Sequence, residues 1–166
     1  MVEVPAVRVA QTWIEAVNSG DAQGAWRLMD PELRLTLVQE WLDWGGPNLL
    51  AVKTRGRDAV TTDLASDEPR LMEFEVLADR LFVNWEPRLH EIRSCVAIDG
   101  DPIAEDVREV LLAAVASGGR QLAVMRQTEG GWRVAAFGGR SLPRPGSPPV
   151  LGSTIGAGQA PVRRTA

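Results

Sequence analysis

The chain has 166 residues, with 18 basic and 22 acidic side chains, a net charge of −4 and 45% apolar content. That length fits one domain, or one domain with an appended segment, and is short for two. The acidic balance excludes a generally basic nucleic-acid binder, and no apolar run approaches the roughly 20 residues of a membrane-spanning helix.

The opening Met1-Val2-Glu3-Val4-Pro5 has neither the basic start nor the apolar stretch of a signal peptide, which predicts a cytoplasmic location. Pro5 suits a first helical turn, and Ala6, Ala10, Trp13, Ile14 and Val17 recur at helical spacing until Asn18-Ser19-Gly20 ends the run. Asp21 caps a short second helix with Ala22, Ala25, Trp26 and Met29 on its apolar face. Asp30-Pro31-Glu32 opens a third, with Leu33, Leu37, Val38, Trp41 and Trp44 on one stripe and Gly45-Gly46-Pro47 at its end. Leu35 and Leu42 fall off that stripe, which predicts burial on more than one side. A fourth, shorter helix is predicted from Asp58 to Ala65.

After Pro69 the apolar period reads as two. Met72, Phe74 and Val76 alternate with Glu73 and Glu75, and Leu81, Val83 and Trp85 continue in shifted phase, which predicts strands joined by a bulge or turn. His90, Ile92, Ser94, Val96 and Ile98 predict another strand, stopped by Asp99-Gly100-Asp101-Pro102. The segments 106–116, 121–127 and 132–138, joined by tight glycine turns, read as an antiparallel meander. Val107, Val110, Leu111, Ala114 and Val115 also fit a helix, but the glycine turn and strand that follow favour strand for 106–116.

Charge divides the chain. Through residue 140 there are 15 basic and 22 acidic residues; from Ser141 onward there are three arginines and no acid. That second part also carries Pro143, Pro145, Pro148, Pro149 and Pro161, a composition that predicts an extended or disordered Pro/Gly-rich C-terminal tail over 141–166. Its Pro143–Pro149 stretch could also lie along the body as a polyproline strap.

Helices followed by antiparallel strands define an α+β order in which helices cover one face of a curved sheet. Two stretches, Trp13-Ile14-Glu15-Ala16-Val17-Asn18-Ser19-Gly20-Asp21 with Ala25–Asp30, and the hairpin Met125–Val134, resemble the two ends of the nuclear transport factor 2-like (SnoaL-like) superfamily. The Pro143–Pro149 stretch is similar to the end of actinobacterial members. The resemblance covers roughly residues 5–140 and implies a cone-shaped domain over 1–140. It carries no catalytic motif, so fold and function stay separate.

Enzymes of that superfamily use an aspartate base, a His–Asp pair, an Asp-Arg-Asp set or a Tyr/Asp oxyanion hole. The chain has no tyrosine, which excludes the last. A His–Asp pair requires His90, the one histidine, with Asp99, Asp101 or Asp43 as its orienting partner; the competing reading of His90 is a surface or rim residue. Seventeen arginines among many acids leave no spacing that singles out an Asp-Arg-Asp set. Asp99, Asp101, Glu105 and Asp106 lack the ligand pattern of a calcium loop, and the glycine pairs fit no phosphate cradle. Cys95, the one cysteine, has no partner for a disulfide and reads as a packed thiol.

Trp13, Trp26 and Trp41 on helical faces, with Trp85 near an element end, could line an apolar ligand pocket or fill the core. The preferred reading is a non-catalytic binder of a small apolar molecule or of a protein partner, a homodimer through its sheet, with no cofactor, metal, nucleic acid or membrane. The alternatives are a small-molecule enzyme (isomerase, cyclase, hydrolase or dehydratase) built on His90 and Asp99, and an adaptor whose tail binds another chain.

Overall fold

The computed structural model describes residues 4–45, 49–83, 95–114 and 119–137. Among the described residues six helices precede a four-stranded antiparallel sheet, so the chain is an α+β protein. The helices are α1 (Pro5–Ser19), α2 (Ala22–Arg27), α3 (Pro31–Gly45), α4 (Leu50–Arg55), α5 (Arg57–Leu64) and α6 (Glu73–Ala78), the last continued by a π turn over Asp79–Val83. The strands β1 (Cys95–Ala104), β2 (Val107–Ala114), β3 (Arg120–Thr128) and β4 (Gly131–Phe137) lie side by side in chain order.

Local sequence explains the first helices. Pro5 takes the first turn of α1, where its missing N–H costs nothing, and Gly20 ends the helix in the left-handed region at φ 76°. The Asp21 carboxylate then accepts the Gly24 N–H at 2.8 Å and starts α2. The face of α1 formed by Ala6, Ala10, Trp13, Ile14 and Val17 is buried, and the helix contacts all four strands. On α3, Leu33, Leu37, Val38, Trp41 and Leu42 are buried, whereas Trp44 stands in solvent.

The sheet's inner face is built from Ala97, Val110, Leu112, Ala123, Met125 and Val134. On the other side of β4, Met29 forms a parallel bridge with Val134, and the Asp30 N–H donates to the Val134 carbonyl at 2.8 Å. The turn between α2 and α3 therefore extends the sheet by a short backbone rung.

Three predicted features differ from the structure. The strands predicted from Met72 to Val83 are instead α6 and the π turn. Phe74, Leu77, Ala78 and Leu81 are buried at helical spacing, while Met72 and Val76 are 83% and 59% exposed. Phe74 packs its ring 5.6 Å from that of Trp26, which anchors that helical face. Second, β1 runs through Asp99-Gly100-Asp101-Pro102 and turns at Glu105-Asp106; register shifts between Asp99 and Ala104 absorb the glycine and proline. Third, β1 buries Cys95 and Ala97 and exposes Val96 and Ile98. Its inward positions are small because α1 lies close, with the Gln11 side-chain oxygen accepting the Ala97 N–H at 3.0 Å. The meander stands as predicted, including β2 at 107–114; α4 was not foreseen. The segment 141–166 lies outside the described residues.

Candidate functional site

The sequence points first to His90 and Asp99. His90 lies outside the described residues, as does Trp85. Asp99 sits on β1 one strand away from Arg108 on β2, and the guanidinium takes both carboxylate oxygens, Nε–Oδ1 at 2.6 Å and Nη2–Oδ2 at 2.8 Å. This fork is the strong, planar form of an Arg–carboxylate contact. The Arg108 hydrogen bonds hold the Asp99 carboxyl below its ordinary value, against a smaller opposing effect of desolvation. Arg108 is in turn raised by Asp99. Asp43 is bound by Arg57, and Asp101 is exposed on the far part of β1.

A buried ion pair that the sequence did not single out joins Asp30 to Arg126, at 3.3 and 3.4 Å from Nη1 to the two carboxylate oxygens. Asp30 is 2% exposed and Arg126 7%. Oδ1 of Asp30 also accepts the Glu32 N–H at 2.9 Å, so one carboxylate caps α3 and holds β3. The cap was legible in Asp30-Pro31-Glu32; no local signal marks Arg126 among seventeen arginines. Chemically the pair is a structural tie, with its carboxylate committed to backbone and guanidinium.

Of the tryptophans, Trp13 and Trp26 are fully buried. Trp13 packs 5.1 Å from the Phe137 ring, and the Trp26 indole N–H donates to the Leu64 carbonyl at 3.0 Å. Trp41 is buried on α3. These rings occupy the space between helices and sheet and among the helices, where large aromatic side chains stabilise by area burial. The Trp13 indole N–H has no hydrogen-bond partner among the described residues.

Among the described residues two clefts stand out, and neither is lined by a strand residue or by Trp13, Trp26 or Trp41. The first, about 780 Å³, lies between residues 17–23 at the α1–α2 junction and residues 69–72 with α6. The second, about 670 Å³, runs along α5 and residues 66–70. No group of three or more potential metal ligands is found among the described residues.

The outer face of the sheet is the remaining feature. Register places Val96, Ala113 and Arg120 in one row across β1, β2 and β3, and Ile98, Leu111 and Leu122 in the next. Val96, Ile98 and Leu122 are each nearly half exposed. The following row sets Glu109 beside Val124, and beyond it Val107 and Arg126 are buried. An exposed apolar patch bounded by charges marks an interaction surface more often than a single exposed leucine does.

No family model, curated protein or solved structure matches the chain. No helix among the described residues is long and apolar enough to cross a membrane.

Proposed function

We propose that the chain is a non-catalytic binding domain of the nuclear transport factor 2-like type, which presents the outer face of its sheet to a protein surface, in the first instance a second copy of itself. The observation that carries this reading is the in-register row Ile98–Leu111–Leu122, backed by Val96, in which Val96, Ile98 and Leu122 stand nearly half exposed. Support also comes from the inner face, where Trp13, Met125 and Phe137 occupy the space a small-molecule cavity would need. The charges around the row suit self-association. A two-fold axis along the row, crossing the strands, lays the Glu109 row of each copy over the Val96–Ala113–Arg120 row of the other, with Arg120 beside the acid.

Sedimentation velocity on the full chain tests this. The natural sequence is expected to sediment at twice the 18.0 kDa chain mass at micromolar concentration, and Leu122→Glu at the single-chain mass. A natural chain that stays monomeric at about 100 µM, or a dimer indifferent to Leu122→Glu, overturns the reading.

A further inference from the structure

The cleft between the α1–α2 junction and α6 combines an apolar floor with an acidic rim. Val17, Phe74 and Ala78 are buried at its base, and Met72 stands 83% exposed at its edge. Among the described residues its lining includes the carboxylates of Asp21, Glu75 and Asp79 and the guanidinium of Arg70. A matching occupant has small apolar side chains next to more than one cation. The chain contains such a segment: residues 138–166 hold Arg140, Arg144, Arg163 and Arg164 and no acid, and Pro161-Val162 runs directly into Arg163-Arg164.

The geometry of the tether is favourable. Phe137, the residue before this segment, packs on Trp13 at 5.1 Å, and Val17 of the cleft floor lies one turn further along α1, about 6 Å away. From Phe137 to Pro161 the backbone can span up to about 80 Å, far more than the path requires. Linkage through a stretch of this length gives an effective concentration of about a millimolar. A weak site is therefore enough: with an intrinsic Kd of about 0.1 mM, about nine-tenths of the molecules hold the segment docked. Exposed arginine–carboxylate pairs contribute little each, so apolar contact, chiefly with the 83% exposed Met72, carries the affinity and the rim sets direction and salt dependence.

We propose that this cleft is the docking site of the chain's own Pro161-Val162-Arg163-Arg164 stretch, with Val162 on the floor of Val17, Phe74 and Ala78 and the two arginines at the carboxylates of the rim. The inference is independent of the sheet-face reading, because no residue that lines the cleft lies on a strand.

Trypsin digestion of the full chain under native conditions, followed bond by bond by mass spectrometry, reads the docking directly. Cleavage of a docked segment tracks its free fraction. Cutting after Arg163 and Arg164 is expected to be about tenfold slower in the natural chain than in Glu75→Arg or Met72→Ser, two exposed positions whose replacement leaves the fold intact. Protection is expected to fall in 1 M salt and to be unchanged by tenfold dilution. As a second measurement, Val162→Ser is expected to shift the backbone amide resonances of Met72 and Glu75, and Glu75→Arg those of Val162 and Arg163. Equal cleavage rates in the natural and variant chains, or amide spectra without these reciprocal shifts, overturn the proposal. Protection that disappears on dilution also overturns it, by assigning the cleft to a segment of another copy. The Leu122→Glu chain should retain full protection, so the sheet face and the cleft fail separately.

Discussion

Arg126 on β3 reaches the carboxylate of Asp30 at the start of α3, 96 positions earlier in the chain, and both side chains are buried. Because Asp30 also caps α3 and lends its backbone to the edge of β4, one residue joins the helical half to the sheet. Removing one member of a buried pair leaves the other desolvated without its counter-charge, a loss of about 3–5 kcal/mol. Asp30→Ala is accordingly expected to lower the unfolding free energy by that amount in urea titration. The double variant Asp30→Ala/Arg126→Met is expected to lose less than the two single changes added together, since neither charge remains. A loss below about 1 kcal/mol for Asp30→Ala would show that the tie carries no such weight.

The Asp99–Arg108 fork makes a prediction about pH. The Arg108 hydrogen bonds depress the folded-state pKa of Asp99 below its unfolded value. Its stabilisation is thus fully present above the unfolded value and is lost as the pH falls through the folded one. Carboxyl carbon titration by NMR should place Asp99 below an ordinary aspartate, and Arg108→Gln should move it upward. The pair is exposed on the strand surface, so the change in melting temperature above pH 5 should be small and smaller still in high salt. An Asp99 midpoint unmoved by Arg108→Gln would remove the fork as the cause.

How much of this was legible follows residue by residue. The caps at Pro5, Gly20, Asp21 and Asp30 lie within a few positions of the backbone groups they serve, so the first three helices could be read from local order. The meander was legible for the same reason, through its glycine turns. In β1, alternation is the same pattern in either phase, and only the small size of Cys95 and Ala97 hints that they face a helix. The pairing of Asp30 with Arg126 had no local signal at all, because an arginine of the right reach is decided by sheet register. The outer-face row likewise exists only once Ile98, Leu111 and Leu122 are brought level by pairing.

Gly20 supplies a test of the α1–α2 junction, which forms one bank of the larger cleft. Its φ of 76° lies where residues with a Cβ are strained, yet an added Cβ would meet nothing within 4 Å. The cost of Gly20→Ala is therefore conformational alone, about 1–2 kcal/mol by thermal or urea unfolding. Gly20→Asn should cost less, because asparagine tolerates the left-handed region. Equal losses for alanine and asparagine would point to a cause other than backbone strain.

The segment 72–83 carries two periods at once, and mutation separates them. As a strand, Met72, Phe74 and Val76 would share one face and matter alike. Of these three, only Phe74 turns inward, against Trp26, while Met72 and Val76 face solvent. Phe74→Ala should then cost about 3–5 kcal/mol through lost burial and the cavity left beside Trp26. Met72→Ser and Val76→Ser should each stay within about 0.5 kcal/mol of the natural chain. Urea unfolding followed by tryptophan fluorescence measures all three, since Trp26 reports on the contact. Similar losses at the three positions would restore the strand and discard the helix; a large loss at Phe74 alone fixes the helical phase, with Leu77, Ala78 and Leu81 completing the buried side.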